Sequence, residues 1–121
     1  MINKVNLAEK FALFDEHWSP KVVAELNGQH VKLVKLKGEF IWHSHQHEDE
    51  LFFVVKGSLT IKLRDEEDVV LREGEFFVVL RGVEHLPVAE EEAHVLLFEP
   101  ASTLNTGGIE NDRTVRELER L

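Results

Sequence analysis

Residues 38–59 read GEFIWHSHQHEDELFFVVKGSL, and this stretch holds three of the seven histidines in the chain. His43, His45 and His47 fall within five residues, and an acidic run ending at Glu50 follows them directly. Alternate side chains of a strand share one face, so His43 and His45 lie about 7 Å apart at Cα and can converge on one ion. Imidazole nitrogens together with a carboxylate suit a divalent transition metal. A solvated loop of histidines and acids is the alternative that this segment leaves open.

The sequence on both sides of this stretch predicts an all-β fold. From residue 21 to residue 99, short apolar, β-branched and aromatic runs alternate with turn residues, as in a sandwich or barrel. Asn27-Gly28 suits a type I′ turn that joins strands over residues 22–26 and 30–36. The run LFFVV at residues 51–55 predicts a strand buried on both sides.

Helix is expected only at the two ends of the chain. Asn6 is a candidate N-cap for a short helix through Leu13, and Thr114 for a second helix over residues 115–121. Residues 101–113 are rich in Gly, Asn, Ser and Thr and are expected to form a loop laid over the barrel. The acidic run at residues 90–92 is interpreted, like the one at 65–68, as a solvated hairpin tip.

Length and composition exclude several classes of protein. A chain of 121 residues predicts a single domain, residues 1–121, with its barrel over about residues 20–100. The absence of cysteine excludes disulfides, thiolate nucleophiles and Cys-ligated metals. A net charge of −9 argues against nucleic-acid and anionic-membrane partners. No apolar run reaches membrane-spanning length and no targeting segment is evident, so a cytoplasmic location is the default expectation.

The spacing around the histidines resembles the first motif of the cupin superfamily. That motif is Gly, five residues, His-x-His, three or four residues, Glu, six residues, Gly. Here His43-x-His45 is followed after four residues by Glu50 and after six more by Gly57. The one departure in this segment is Gly38, which precedes His43 by four residues rather than five.

Residues 74–89, GEFFVVLRGVEHLPVA, resemble the second cupin motif. That motif is Gly, five residues, Pro-x-Gly, two residues, His, three residues, Asn. Gly82 and His85 match it, whereas Leu80 replaces the proline and Ala89 replaces the asparagine. Neither departure removes a metal ligand. Two motifs in the right order make the chain similar to small single-domain cupins, some of which are described as mannose-6-phosphate-isomerase-like, although one fold carries many functions.

The resemblance implies a double-stranded β-helix, or jelly-roll barrel. It implies that His43, His45, Glu50 and His85 project inward and hold one divalent transition metal: Fe, Mn, Ni, Co, Cu or Zn. Such a donor set leaves one or two coordination positions open for water, O₂ or substrate. The resemblance also permits Glu50 to act as a catalytic base.

The choice of frame decides the role of His47. A pair made of His45 and His47 leaves two residues before Glu50, outside the family spacing, so His47 is assigned to the rim. A continuous strand would place Glu50 on the face opposite the histidines. The chain is therefore expected to turn between Gln46 and Asp49.

The remaining candidate residues have structural interpretations as the first choice. Arg81 and Glu84 are expected to form a salt bridge within one turn. Trp42 and Phe53 mark apolar faces that predict a homodimer. Several apolar residues are assigned to the core, with the wall of a metal pocket as the second role: Phe40, Phe52, Val54, Phe77, Val79, Leu86 and Leu96.

Two functions follow from these expectations. The first is a metal-dependent enzyme that acts on a small organic molecule, either by oxygen activation or by polarising a carbonyl or enediol. The alternative is a non-catalytic cupin that binds or senses a small molecule or metal. Absence of a nucleophile elbow and of phosphate-binding glycine loops disfavours hydrolase and nucleotide-binding functions.

Overall fold

The computed structural model describes residues 3–121, which contain one short helix and eight strands. The helix α1 spans Leu7–Phe11. The strands are β1 Lys21–Leu26, β2 Gln29–Glu39, β3 Glu50–Lys56, β4 Ser58–Leu63, β5 Val69–Arg72, β6 Phe76–Val79, β7 His85–Pro100 and β8 Glu119–Arg120. The predicted all-β class is confirmed.

The long strand β7 organises the sheet. It runs antiparallel to β2 over most of its length, while β4 pairs with its beginning and β3 with its end. Outside these, β5 extends β4, β6 extends β3, and β1 and β8 extend β2. Strand β7 therefore links three groups of strands: β4 with β5, β3 with β6, and β2 with β1 and β8. Through it the strands wrap into the jelly-roll barrel that the motif resemblance implies.

The hydrophobic core lies between the inward faces of β2 to β7. Alternation decides which side chains enter it: in β3, Phe52 and Val54 are buried, whereas Leu51 and Phe53 remain partly exposed. The prediction that this strand is buried on both sides is therefore correct for one face only. Asn27 and Gly28, with φ of 49° and 78°, form the predicted hairpin turn between β1 and β2.

The acidic run at residues 90–92 is not a hairpin tip, and this prediction was wrong. These residues lie inside β7, where its pairing with β2 shifts register between Leu36 and Gly38. Gly38 has a φ of +83°, a conformation that side chains disfavour. The bulge keeps the three carboxylates exposed to water while the strand continues.

The two ends of the chain differ from each other. The side chain of Asn6 accepts a hydrogen bond from Glu9 N–H at 3.0 Å, as an N-cap does, but α1 ends at Phe11 rather than Leu13. The predicted C-terminal helix over residues 115–121 was wrong, because Glu119–Arg120 pairs in parallel with β1. So short a helix is marginal alone, whereas the β1 edge offers backbone hydrogen-bond partners.

Residues 101–113 form irregular turns that pack against the segment carrying the histidines. Gly107, with a φ of +63°, lies so close to Ser44 that a Cβ at this position would overlap the Ser44 carbonyl oxygen. The N–H of Gly108 donates to the same oxygen at 3.3 Å. Ser44 separates His43 from His45, so the loop contacts the backbone between these two predicted ligands.

We expect Gly107→Ala to lower the free energy of unfolding by about 1–3 kcal/mol, because it adds both backbone strain and overlap. Urea denaturation measures this change. Gly108→Ala is the matched control, since its Cβ meets no atom within 4 Å, and a surface change of this kind costs about 0.5 kcal/mol or less. Equal effects of the two substitutions would show that the loop is not seated on Ser44.

Candidate metal centre

Four buried side chains meet at one point inside the barrel. They are His43, His45, Glu50 and His85, and one potential ligand atom from each lies within 4.8 Å of all the others. Opposite ligands of an ion with bonds of about 2.0–2.2 Å lie a little over 4 Å apart. Small side-chain movements therefore bring all four atoms into bonding range, and the sequence predicted this set of residues.

A pair of backbone hydrogen bonds places two of these residues face to face. The N–H of His43 donates to the His85 carbonyl at 3.1 Å, and the N–H of His85 donates to the His43 carbonyl at 2.9 Å. His43 is in this isolated bridge rather than in a regular strand. The two imidazole ring centroids are consequently 4.2 Å apart.

The turn expected between Gln46 and Asp49 is present. The chain bends at Gln46 and His47, and β3 then begins at Glu50 with that side chain pointing inward. His47 is exposed on the bend, which agrees with its assignment to the rim. The break in alternation is what allows Glu50 to join histidines of opposite parity.

The ring orientation of two histidines is fixed by neighbouring carbonyl groups. Nδ1 of His43 lies 2.9 Å from the Ile41 carbonyl, and Nδ1 of His85 lies 2.9 Å from the Val83 carbonyl. A carbonyl oxygen only accepts hydrogen bonds, so each Nδ1 carries the proton and donates it. Each Nε2 therefore presents its lone pair to the centre, as ligating histidines do.

Several polar atoms at the centre are buried without a hydrogen-bond partner among residues 3–121. Glu50 Oε1 lies 3.3 Å from His45 Nε2 and 3.5 Å from His85 Nε2, and all three atoms are in this state. One proton on one imidazole satisfies one of these contacts, whereas a divalent cation satisfies all three at once. The donor set and its unpartnered atoms thus fit a divalent transition metal.

Charge interactions separate the protonation states of these groups. Burial opposes the ionisation of Glu50, but the adjacent imidazoles of His45 and His85 outweigh it and hold the pKa of Glu50 well below its usual range. Burial, with a smaller contribution from the neighbouring His85, lowers the pKa of His43 to about 4. A carboxylate beside a neutral imidazole is the protonation state that metal binding requires.

A second carboxyl group, Glu99, lies beside the centre and was missed by sequence reasoning. Burial and the negative charge of Glu50 raise the pKa of Glu99 well above its usual range, although Lys32 opposes this. Lys32 Nζ, itself buried, lies 2.8 Å from Glu99 Oε1. Alternation was the available signal, because Glu99 continues the inward series of Val95 and Leu97 along β7.

A cavity of about 40 Å³ adjoins the centre. His43 and Glu50 contribute to its wall, and Glu99 adds a further polar group. Of the seven apolar residues with a possible wall role, Phe40 and Phe52 line it. The remaining five take core or other positions: Val54 and Val79 in the core, Phe77 packed against it, Leu86 buried, and Leu96 on the opposite face near α1.

Trp18 is a further wall residue that no sequence motif indicated. Its ring stacks on Phe40 with centroids 4.7 Å apart and planes inclined by 15°. Its indole N–H donates to the Lys37 carbonyl at 2.9 Å, which fixes the ring at the cavity wall. The stack of two aromatic rings makes this side of the cavity flat and apolar.

Polar residues near the second motif pair differently from the prediction. Arg81 contacts Asp49 at 3.4 Å, and Glu84 contacts Arg64 at 3.4 Å, so they form no salt bridge with each other. Each of these pairs joins two separate segments. The Arg64 guanidinium carbon also lies 4.1 Å from the ring centroid of Trp42.

Comparison with known proteins identifies the family. A family model described as a cupin domain matches residues 30–99. The chain belongs to the cupin family. A cupin-2 domain protein from Shewanella frigidimarina NCIMB 400 is 48% identical to this cupin, with a TM-score of 0.77, covering 79% of this chain and 93% of that one.

Two further relatives extend the comparison. Protein NMB1881 from Neisseria meningitidis is 32% identical, with a TM-score of 0.75, covering 82% of this cupin and 100% of that chain. YdbB from Bacillus subtilis (strain 168) is 36% identical over 63 residues, which are 52% of this cupin and 56% of YdbB. The match thus spans little more than half the length of this curated relative. Among residues 3–121, no helix combines the length and apolar character needed to cross a membrane.

Without metal, the buried state of His43 predicts a pH-dependent stability. Between pH 6.5 and about 4 the unfolded chain binds a proton at His43 that the folded chain does not, so stability falls as pH falls. The free energy of unfolding lost in this way is about 3 kcal/mol. The loss is complete near pH 4 and absent above pH 6.5. Urea denaturation in the presence of a chelator measures it.

The variant His43→Gln is expected to lose this part of the pH dependence. His47→Gln, at the exposed bend, is the matched control and should retain the full slope. Superimposable stability profiles of the parent protein and His43→Gln would contradict the assignment of a buried, neutral His43.

Proposed function

We propose that this cupin binds one divalent transition metal through His43, His45, Glu50 and His85 and is an enzyme acting on a small organic molecule. The observation that supports the proposal is the convergence of three buried, unpartnered ligand atoms on one point. Their desolvation is costly unless a cation compensates it. The adjoining cavity of about 40 Å³ supplies room for a few water-sized groups, such as one end of a small ligand, next to that point.

The bound ion would supply Lewis acidity toward a carbonyl or enediol, or a site for oxygen activation. The protein's own residues have separate tasks. The carbonyls of Ile41 and Val83 orient the imidazoles, and the apolar wall at Phe40 and Phe52 excludes water from the centre. Exclusion of water strengthens every electrostatic interaction in the site.

Glu50 is the proposed catalytic base as well as a ligand. Its low pKa keeps it ionised, so one carboxylate oxygen can accept a proton from a ligand in the cavity that it lines. Glu99 lines the same cavity, and because its raised pKa favours its protonated form, it is suited to donate a proton there. The alternative function, a non-catalytic binding or sensing cupin, shares the centre and differs in having no turnover.

Metal analysis tests the centre directly. We expect about one divalent ion per chain in protein purified without an affinity tag, with weaker binding below about pH 6 as imidazoles protonate. Elemental analysis and titration of the metal-free protein measure both quantities. Each of His43→Ala, His45→Ala and His85→Ala should lower affinity about 10-fold or more.

The control for this series is His47→Ala, which should leave stoichiometry and affinity unchanged. Loss of binding in His47→Ala with binding retained in His43→Ala would shift the ligand set to His45, His47 and His85. Oxygen-uptake and isomerisation screens with the native metal then separate an enzyme from a binding protein, because turnover occurs only in the former.

We further propose that this cupin is a homodimer. Leu51, Phe53, Phe76, Val78 and Phe98 share the outward side of neighbouring strands, since Leu51 pairs with both Val78 and Phe98 and Phe53 pairs with Phe76. Phe76 is 61% exposed. Strand β6 has β3 as its partner among the described strands, which leaves its other edge open. A second copy covers such a face symmetrically.

Light scattering tests the oligomeric state. The parent protein should have twice the mass of a single chain at micromolar concentration, and Phe76→Glu should have the mass of one chain because it introduces charge at the interface. Leu26→Glu, at the exposed apolar residue that ends β1, should stay dimeric. A parent protein with the mass of a single chain would contradict the proposal.

A further inference from the structure

Arg113 lies over the aromatic stack that forms one wall of the cavity. Its guanidinium carbon is 5.6 Å from the ring centroid of Phe40 and 5.9 Å from that of Trp18. Phe40 also lies beside the metal centre, because the Phe40 and His43 ring centroids are 5.3 Å apart. The guanidinium carbon and the His43 ring are therefore no more than about 11 Å apart.

The backbone that carries Arg113 is held in place by a cavity residue. Asn105 lines the cavity, its side-chain N–H donates to the Arg113 carbonyl at 2.7 Å, and its side-chain oxygen accepts from Val115 N–H at 2.8 Å. The N–H of Arg113 donates to the Asn111 side chain at 2.8 Å. These bonds position Arg113 before any ligand arrives, which is how binding sites reduce the entropic cost of recognition.

The charge of Arg113 is not neutralised by the protein. Within residues 3–121, no carboxylate lies within ion-pairing distance of it, and its one side-chain hydrogen bond goes to the Glu39 carbonyl at 2.9 Å. By contrast, Arg116 on the same segment contacts Glu110 at 2.8 Å. In a chain with 23 acidic and 14 basic residues, an arginine left unpaired at this place keeps donors free for an external anion.

The wall of the cavity limits where an anionic group can bind. Its acidic residues are Glu50 and Glu99, and no lysine or arginine from the described part of the chain contributes to it. The planar guanidinium of Arg113 offers two parallel donors to a carboxylate, and a carboxylate held there leaves an uncharged part of the ligand to enter between the apolar side chains. A dianionic phosphate suits a single guanidinium in a chain of net charge −9 less well.

We infer that Arg113 is the anion-recognition residue at the mouth of this cavity, so the ligand is a small organic carboxylate whose uncharged end reaches the metal centre. This inference rests on the proposed function, because it takes the four-residue centre as the place where the ligand's other end binds. It adds the chemical class of the ligand and the residue that selects it.

Isothermal titration calorimetry with the Zn²⁺-loaded protein tests the inference. The probes are unbranched ω-hydroxy carboxylates of three to five carbons, their matching amides and propyl phosphate. We expect at least one carboxylate to bind about 10-fold or more tightly than its amide, the scale of one charge-assisted hydrogen bond. Added salt should reduce this ratio, because an interaction at the cavity mouth is screened.

Variants then test whether Arg113 causes the preference for the carboxylate over its amide. Arg113→Gln should bring the carboxylate-to-amide ratio close to one, Arg113→Lys should retain part of it, and Arg116→Gln should leave it unchanged. A ratio near one in the parent protein, a ratio that survives Arg113→Gln, binding of no carboxylate, or tighter binding of propyl phosphate would each overturn the inference. A merely structural role for Arg113 would alter carboxylate and amide binding equally.

A separate titration with Zn²⁺ alone distinguishes failure of the proposed metal centre from failure of the proposed role of Arg113. Failure to bind Zn²⁺ in the parent protein overturns the proposed function itself. Normal Zn²⁺ binding without carboxylate discrimination overturns the role of Arg113 and leaves the metal centre intact.

Discussion

Two backbone hydrogen bonds between His43 and His85 are the constraint on which the candidate site depends. They join segments 42 positions apart in the sequence and bring the two imidazole ring centroids to 4.2 Å, with the ring planes inclined by 49°. A third bond, from Gly82 N–H to the His45 carbonyl at 2.8 Å, ties the turn before His85 to the other ligand-bearing segment. Because backbone groups make these contacts, the alignment does not depend on the side chains that must remain free to bind.

The free energy of the centre explains why those side chains are left unpaired. A buried polar group without a partner costs about 1–3 kcal/mol, so three such atoms at Glu50, His45 and His85 amount to a large fraction of the stability of an ordinary domain. Elsewhere in the same interior, Lys32 pairs with Glu99 at 2.8 Å. The barrel thus pairs one buried charge and leaves adjacent atoms unpaired that a bound cation would satisfy.

The parts of the structure that sequence reasoning predicted are those set by local chemistry. Asn27-Gly28 determines its hairpin through the φ values it tolerates, and the parity of Glu50 requires the bend at residues 46 and 47. The features that sequence reasoning got wrong depend on pairing with residues far away in the sequence. The C-terminal residues pair with the open edge of β1, and the bulge at residues 90–92 arises opposite Gly38 on another strand.

The site residues that were missed have the same physical explanation. Trp18 lines the cavity and Arg113 lies over the Phe40 ring of its wall, yet the two residues are 95 positions apart. Neither has a spacing relative to the histidines that a local pattern can express. Glu99 is different, because its inward parity was visible but an acid at a core position has meaning only once Lys32 and Glu50 are seen beside it.

The residues around the cavity come both from the part of the chain that matches the cupin domain and from the loop that follows it. All four candidate ligands lie within residues 30–99, the range that matches the cupin domain. Three residues that follow that range also approach the site. Asn105 lines the cavity, Gly107 contacts the backbone between two candidate ligands, and Arg113 lies over the aromatic stack. The barrel thus carries the candidate ligands while an attached loop adds contacts beside them, an arrangement by which one scaffold can serve different ligands. Under the proposed role of Arg113, ligand choice depends on this loop as well as on the barrel.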